Sequence, residues 1–165
     1  MADNPGVEAN LQQSVVIRQD DLSGEQTRCL LRLHLEGMHA NSPASSVFAL
    51  DLTGLKVLSV TVWTLWIHDA VAGIAALKDL GSRTGEIKSM RTHPHYLRRG
   101  VATALLDHII DLARARGLRR LSLETGSGPA FEPALQLYRG RGFTAGGTFA
   151  DYEKSAFNQF LHLSL

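Results

Sequence analysis

Cysteine is nearly absent from this 165-residue chain, which has only Cys29. One thiol excludes an internal disulfide framework and any Cys-rich zinc site. Cys29 lies among Leu30, Leu31 and Leu33 in a segment expected to be helical, so a buried, inert thiol is the expectation. An excess of one charge is also missing: 17 basic and 16 acidic residues leave a formal charge of +1. A broad nucleic-acid footprint needs a strongly basic face, so no nucleic-acid partner is expected and any anion recognition must be local. Long apolar runs are missing too. The longest, Val57 to Ile67, falls well short of the roughly 20 residues of a membrane-spanning helix, so no membrane partner is expected. Met1 to Gln13 is polar and lacks the basic-then-apolar order of a signal peptide. Residues 1–13 read as a flexible lead-in, and the protein is expected in the cytoplasm. Neither a Walker sequence nor G-x-G-x-x-G follows any predicted strand, so the standard nucleotide loops are excluded.

What is present is an ordinary globular composition, 44% hydrophobic and 20% charged. Residues 14–165 are expected to form one domain, since no repeat or linker-like stretch divides them. Ser14 to Arg18 reads as a first strand. Ser23 and Gln26 have the spacing of a capping box, and the helix they open should run to about His39. Asn41-Ser42-Pro43 breaks it, and a short helical turn is expected around Val47 to Leu52. Val57 to His68, rich in β-branched residues and tryptophan, reads as a strand. A tight turn at Asp69-Ala70 would pair it antiparallel with Val71 to Leu77, and Gly85 to Thr92 is a further strand ended by His93-Pro94. Val101 to Arg116 is the clearest helix, with Val101, Leu105, Ile109, Leu112 and Ala113 on one face and Gly117 past its end. Arg119 to Thr125 alternates as a strand does. A helix from about Ala130 to Arg141 carries Pro133 in its first turn. Strands near Phe143 to Phe149 and Phe160 to Leu165 complete an α/β fold with a mixed sheet.

The start of the helix after Gly100 breaks a local rule. A helix N-terminus carries partial positive charge and unpaired N–H groups, so acidic caps are favoured there. Here Arg98 and Arg99 stand at that end, and no carboxylate comes before Asp107. Gly100 and Ala102 leave room for a bulky anion to reach the amides, and a pyrophosphate would satisfy both donors and charge. An exposed helix start with two solvated arginines satisfies the same pattern.

Glu86-Ile87-Lys88-Ser89-Met90-Arg91-Thr92, followed by Arg98-Arg99-Gly100-Val101-Ala102 and Leu105-Leu106, resembles the core of the GCN5-related N-acetyltransferases. Leu137-Tyr138-Arg139 with Gly142-Phe143 resembles that family's later helix-to-strand signature. The resemblance runs from about Val15 to the C-terminus. It implies a mostly antiparallel central sheet, flanked by helices and splayed between the fourth and fifth strands, with acetyl-CoA as co-substrate and no metal. Within the family, Leu121 to Thr125, Phe131 to Leu135 and Asp151-Tyr152 most resemble a bacterial subgroup of small uncharacterised acetyltransferases. Two places depart from the family pattern. Leu97 stands where the turn begins with Gln or Arg, and Phe131 where many members carry Asn.

The resemblance implies that backbone groups of Met90, Arg91 and Thr92 pair with the pantetheine arm. It implies that the segment Leu97, Arg98, Arg99, Gly100, Val101, Ala102 and Thr103 holds the pyrophosphate, and that Phe131 makes an apolar contact. A backbone N–H near Met90 would polarise the thioester carbonyl. Transfer to an amine needs a base, because an ammonium with a reference pKa of ~10.4 is not nucleophilic at neutral pH. Glu86 is the candidate, directly or through water, with Glu124 as a second; a solvated strand carboxylate is the plainer reading of Glu86. Tyr138 is the candidate general acid for the leaving thiolate, against the plainer reading of a core tyrosine. His93 and His95 lack a third ligand at a recognisable spacing and read as loop residues. Trp63 and Trp66 read as core or cleft wall, and Asp151 and Tyr152 as cleft residues. The expected partners are acetyl-CoA and an amine acceptor, small or amino-acid-like; a protein amine acceptor, a non-catalytic CoA-binding module and a homodimer remain open.

Overall fold

The computed structural model describes residues 14–165, so the lead-in reading of 1–13 lies outside the described residues. The strands are β1 (Val15–Gln19), β2 (Val60–Ile67), β3 (Ala70–Gly81), β4 (Thr84–Thr92), β5 (Arg120–Thr125), β6 (Thr144–Ala145) and β7 (Gln159–Ser164). The helices are α1 (Glu25–Asn41), α2 (Leu52–Leu55), α3 (Val101–Ala115) and α4 (Glu132–Gly140). One seven-stranded sheet in the order β1-β2-β3-β4-β5-β7-β6 holds them together. Every neighbouring pair is antiparallel except β4 and β5.

Alternation along each strand sends side chains to two different layers. Ile87, Leu121, Leu123, Leu161 and Leu163 face α3, whose Val101, Leu105, Leu106, Ile109 and Ala113 are buried against them. The opposite face of β2 and β3, including Val62, Ile74 and Ala76, is covered by Leu30 and Leu31 of α1 and Leu55 of α2. Burial of such leucines and isoleucines stabilises the fold by roughly 1.5–3 kcal/mol each.

Two close approaches position the later site. A Cβ on Gly73 would lie 2.5 Å from Val101 Cγ1 and 2.9 Å from Leu105 Cδ1, so the bare backbone of β3 lets the start of α3 sit directly on the sheet. Midway along α3, Arg141 makes a bidentate pair with Asp107 (2.6 and 3.1 Å), which ties the end of α4 to it.

Several sequence expectations are corrected. Ser23 does not cap α1; the N-cap is Gly24, with no side-chain bond. The chain instead makes a left-handed turn at Leu22 (φ 67°), pinned by Asp20, whose carboxylate accepts from Leu22 N, Thr27 Oγ1 and Thr64 Oγ1. Gln26 is drawn into a tertiary contact, donating to Asp69 O and accepting from Val71 N, so the local box loses to a longer-range one. Cys29 is exposed, on the outer side of α1. Val47 to Asp51 is not helical; the helical turns flank it at Ala44–Ser46 and in α2, which begins at Leu52. The Phe143–Phe149 strand shrinks to Thr144–Ala145; Gly146 then packs bare against the His162 ring, where a Cβ would stand 2.5 Å from Cδ2, and the ring meets Gly147 O at 2.8 Å.

Candidate active site

β4 and β5 are in register only at Thr84↔Arg120, Gly85↔Leu121 and Glu86↔Ser122. Beyond Glu86 the strands diverge, and the backbone edge of β4 from Ile87 to Thr92 faces a gap. This is the splay that the family resemblance implies. The gap opens on both faces of the sheet.

On the α3 side, Tyr138 of α4 is buried in the core cluster with its ring edge-on to Phe143, and it lines the pocket. Burial pushes its phenol well above the ordinary tyrosine value, so the group keeps its proton. Its hydroxyl makes no hydrogen bond among the described residues, which leaves it free for a ligand. Met90 packs against the same cluster. Phe131 is buried beside the gap, edge-on to Phe157. Gly126 makes room for both rings, since a Cβ there would lie 2.4 Å from Phe157 and 2.7 Å from Phe131.

The start of α3 has the expected character. Gly100 is its N-cap in the left-handed region (φ 80°), with no side-chain cap and no acid in the first turn. The first backbone bond runs from Ala104 N to Gly100 O, so the N–H groups of Val101, Ala102 and Thr103 point out of the helix end. Among the described residues, apart from its chain neighbours, no atom stands within 4 Å of where a Gly100 Cβ would be. Arg98, Arg99 and Leu97 are exposed around this opening, and Arg99 lies over the Tyr96 ring. Donors, space and cations fit a pyrophosphate.

On the α1 side, the carboxylate of Glu86 is 3% exposed and accepts from Lys88 Nζ (3.0 Å) and from the Tyr152 hydroxyl. Lys88 Nζ also donates to the Tyr152 oxygen at 2.8 Å. Glu86 is therefore not a solvated strand carboxylate. Glu124 stands two positions beyond Ser122, on this same face. Burial pushes its carboxyl up to about 7; Lys88 opposes that rise and Glu86 adds to it. His34 of α1 closes the pocket, its pKa held down to about 4 by burial and then by Arg91 and Lys88.

A β-bulge arranges this face. Ala76 pairs with Lys88 and Ile74 with Arg91, so β4 spends one more residue than β3, at Ser89-Met90. Ser89 is left-handed (φ 56°), and its buried hydroxyl has no partner among the described residues. In a regular strand residues three apart face opposite ways; the extra residue puts Lys88 and Arg91 on one face. The backbone of Met90, Arg91 and Thr92 borders the gap, but the Arg91 guanidinium lies against Gly37 of α1.

The remaining expectations resolve as follows. His93 and His95 are loop residues, the His93 ring accepting from His95 N. Trp63 is core, edge-on to His108, and Trp66 packs by the second core cluster under Arg18. Asp151 is exposed, whereas Tyr152 reaches the network. Sequence reasoning missed Lys88 and His34. The i, i+2 spacing of Glu86 and Lys88 was the available signal for the first; nothing local signals the second. No group of three or more His, Cys, Asp or Glu suited to a metal occurs among the described residues, and no helix there is long and apolar enough to cross a membrane.

Comparison with known proteins places this geometry. Residues 28–143 match the model of the acetyltransferase (GNAT) family. The chain is 48% identical over 145 residues to the uncharacterized N-acetyltransferase YsnE of Bacillus subtilis, covering 88% of this chain and 96% of that one. It is 46% identical over 149 residues to the uncharacterized N-acetyltransferase YedL of Escherichia coli, covering 90% and 94%. Its fold matches a Bacillus subtilis acetyltransferase solved in complex with CoA, with a TM-score of 0.69, 19% identity, and 92% and 99% coverage. The chain belongs to the GNAT family of N-acetyltransferases.

Proposed function

We propose that the protein moves an acetyl group from acetyl-CoA to a primary amine of a small or amino-acid-like acceptor by direct attack, with residues 14–165 acting as one catalytic domain. The observation that carries this reading is the gap between β4 and β5, which has a protonated phenol on one face and a carboxyl poised near neutrality on the other. Acetyl-CoA would supply the thioester, whose C–S bond breaks as the acceptor nitrogen forms the new amide bond. The amides of Val101 to Thr103, with Arg98 and Arg99, hold the pyrophosphate at the acid-free start of α3. The open edge of β4 from Met90 to Thr92 pairs with the pantetheine arm. Phe131 supplies an apolar wall, and Leu97 lies beside the turn. Donors from the bulged backbone near Met90 stabilise negative charge developing on the carbonyl oxygen.

Glu124 takes the proton of the incoming ammonium, because a carboxyl near 7 is matched to that task at neutral pH. Glu86, the base expected from the sequence, has both its donors built in; it anchors Lys88 and Tyr152 and raises the proton affinity of Glu124. Tyr138 delivers its proton to the departing thiolate sulfur, and the proton that the acceptor nitrogen sheds as the amide forms restores the phenol by way of solvent.

Two measurements test the reading. Acetyl-CoA at 100 times its Kd should stabilise the protein against unfolding by about 2.7 kcal/mol, and CoA release should depend on an added amine. Stabilisation without release across a broad amine panel identifies a non-catalytic CoA-binding module instead. No stabilisation at saturating coenzyme overturns the assignment.

A further inference from the structure

The α1 side of the gap holds more charge than proton transfer uses. Glu86 and Lys88 neutralise each other at 3.0 Å. Arg91 does not share in that pairing. Its Nε is buried with no hydrogen-bond partner, and no carboxylate lies within ion-pair distance of its guanidinium among the described residues. Arg91 is half-buried, with its Nε out of reach of solvent, and a buried donor left unpaired is costly, so a ligand that fills the pocket would complete it. The site is shaped around it as well: a Cβ at Gly37 would stand 3.0 Å from Arg91 Nη1, so a helical glycine lets the guanidinium lie against α1. Asn41, next to it in the pocket lining, has its amide committed to Gly37 O. The bulge at Ser89-Met90 turns Arg91 to the face opposite the start of α3, away from where the coenzyme pyrophosphate fits.

We propose that Arg91 binds a carboxylate of the acceptor, so that the substrate carries an amine and a carboxylate together. This rests on the acetyl-transfer reading above. A guanidinium offers two parallel N–H donors that match a planar carboxylate. A phosphate dianion would find only this one uncompensated cation, with Glu86 and Glu124 on the same face. Held at Arg91, the acceptor is oriented with its nitrogen toward Glu124 and the gap.

The test compares CoA release for amines matched except for the carboxylate: glycine with methylamine, tyrosine with tyramine, 4-aminobutyrate with butylamine, together with phosphoethanolamine. The expected result is a preference of about 10- to 100-fold in kcat/KM for at least one carboxylate-bearing member over its partner, the range of a charge-assisted bond. R91Q should reduce that preference to under about 3-fold, mainly through KM, and R91K should fall between. Acetyl-CoA stabilisation of each variant verifies that it is folded. G37A, which keeps the arginine but crowds it, should raise KM for the preferred acceptor without loss of helix. Equal turnover of the carboxylate-free amines, a preference that survives R91Q, or preferred use of phosphoethanolamine would each overturn the proposal. Stabilisation by acetyl-CoA with no carboxylate-bearing amine acetylated also overturns it while coenzyme binding stands. Absence of that stabilisation removes the underlying reading instead.

Discussion

The hydroxyl of Tyr152 donates to the Glu86 carboxylate and accepts from Lys88 Nζ, joining the loop before β7 to a strand 66 positions earlier. The Tyr152 ring is held by Phe48, Phe149 and Phe160, so aromatic packing delivers the hydroxyl to a buried ion pair. Tyr152→Phe keeps the ring and deletes both bonds. It should cost about 1–3 kcal/mol, because Lys88 and Glu86 each lose a partner in a buried setting. Denaturant unfolding measures this, and a change below ~0.3 kcal/mol would show that the bonds carry no weight.

Glu124 makes activity and stability depend on pH in opposite senses. Its folded pKa, about 7, lies above the ordinary glutamate value of 4.5, chiefly through burial. Its contribution to stability is thus fully present below the unfolded value and is lost as pH rises through 7. The same ionisation turns the base on, so kcat/KM should rise with an apparent pKa near 7. Glu124→Gln should abolish that limb and lower the rate by about 10²-fold or more. It should also gain on the order of 1–2 kcal/mol at pH 8, after allowance for solvent screening at this partly exposed group. Rate–pH profiles and melts of both proteins decide the matter.

Tyr138 offers a cleaner separation of binding from chemistry. Its hydroxyl has no protein partner among the described residues, so Tyr138→Phe deletes only the proton donor. Turnover should fall by about 10²-fold, the lower end for lost general acid catalysis, with the Kd of acetyl-CoA changed less than about threefold. Unchanged turnover would remove Tyr138 from the mechanism.

Gly73 tests the seating of α3. An added methyl would meet Val101 Cγ1 at 2.5 Å and Leu105 Cδ1 at 2.9 Å, and the Arg91 carbonyl at 3.3 Å. Leu105 can turn its methyl away, but Val101 is stiff at χ1, so relief falls on Val101 and the start of α3 that carries it. Gly73→Ala should therefore destabilise the protein by about 1–3 kcal/mol and weaken acetyl-CoA binding as the amides of Val101 to Thr103 move. Calorimetric Tm and coenzyme titration check the two effects separately.

Sequence alone determined the parts that depend on near neighbours. The 3.6-residue repeat of Val101, Leu105, Ile109 and Ala113 specifies α3 and its buried face, and alternation specifies β5. The glycine and the missing acid at the start of α3 are equally local, so that opening and the family's turn were readable directly. The capping box at Ser23 failed because a local preference worth about 1 kcal/mol was outweighed by the Asp20 turn and the tertiary use of Gln26.

Only the tertiary structure decided which side chains meet in the gap. The bulge in β4 has no signature in the Ser89-Met90 pair, yet it reverses the facing of Arg91 and sets it against Gly37. Tyr152 comes from the loop before β7 and His34 from α1, and the packing of those segments on the sheet brings them to Lys88 and Arg91. The raised proton affinity of Glu124 belongs to this second class, since it comes chiefly from burial, with Glu86 of the neighbouring strand adding to it. Local pattern sets the elements because backbone preference and burial act over a few residues; the chemistry waits for desolvation and distant charges, which exist only once the sheet has closed.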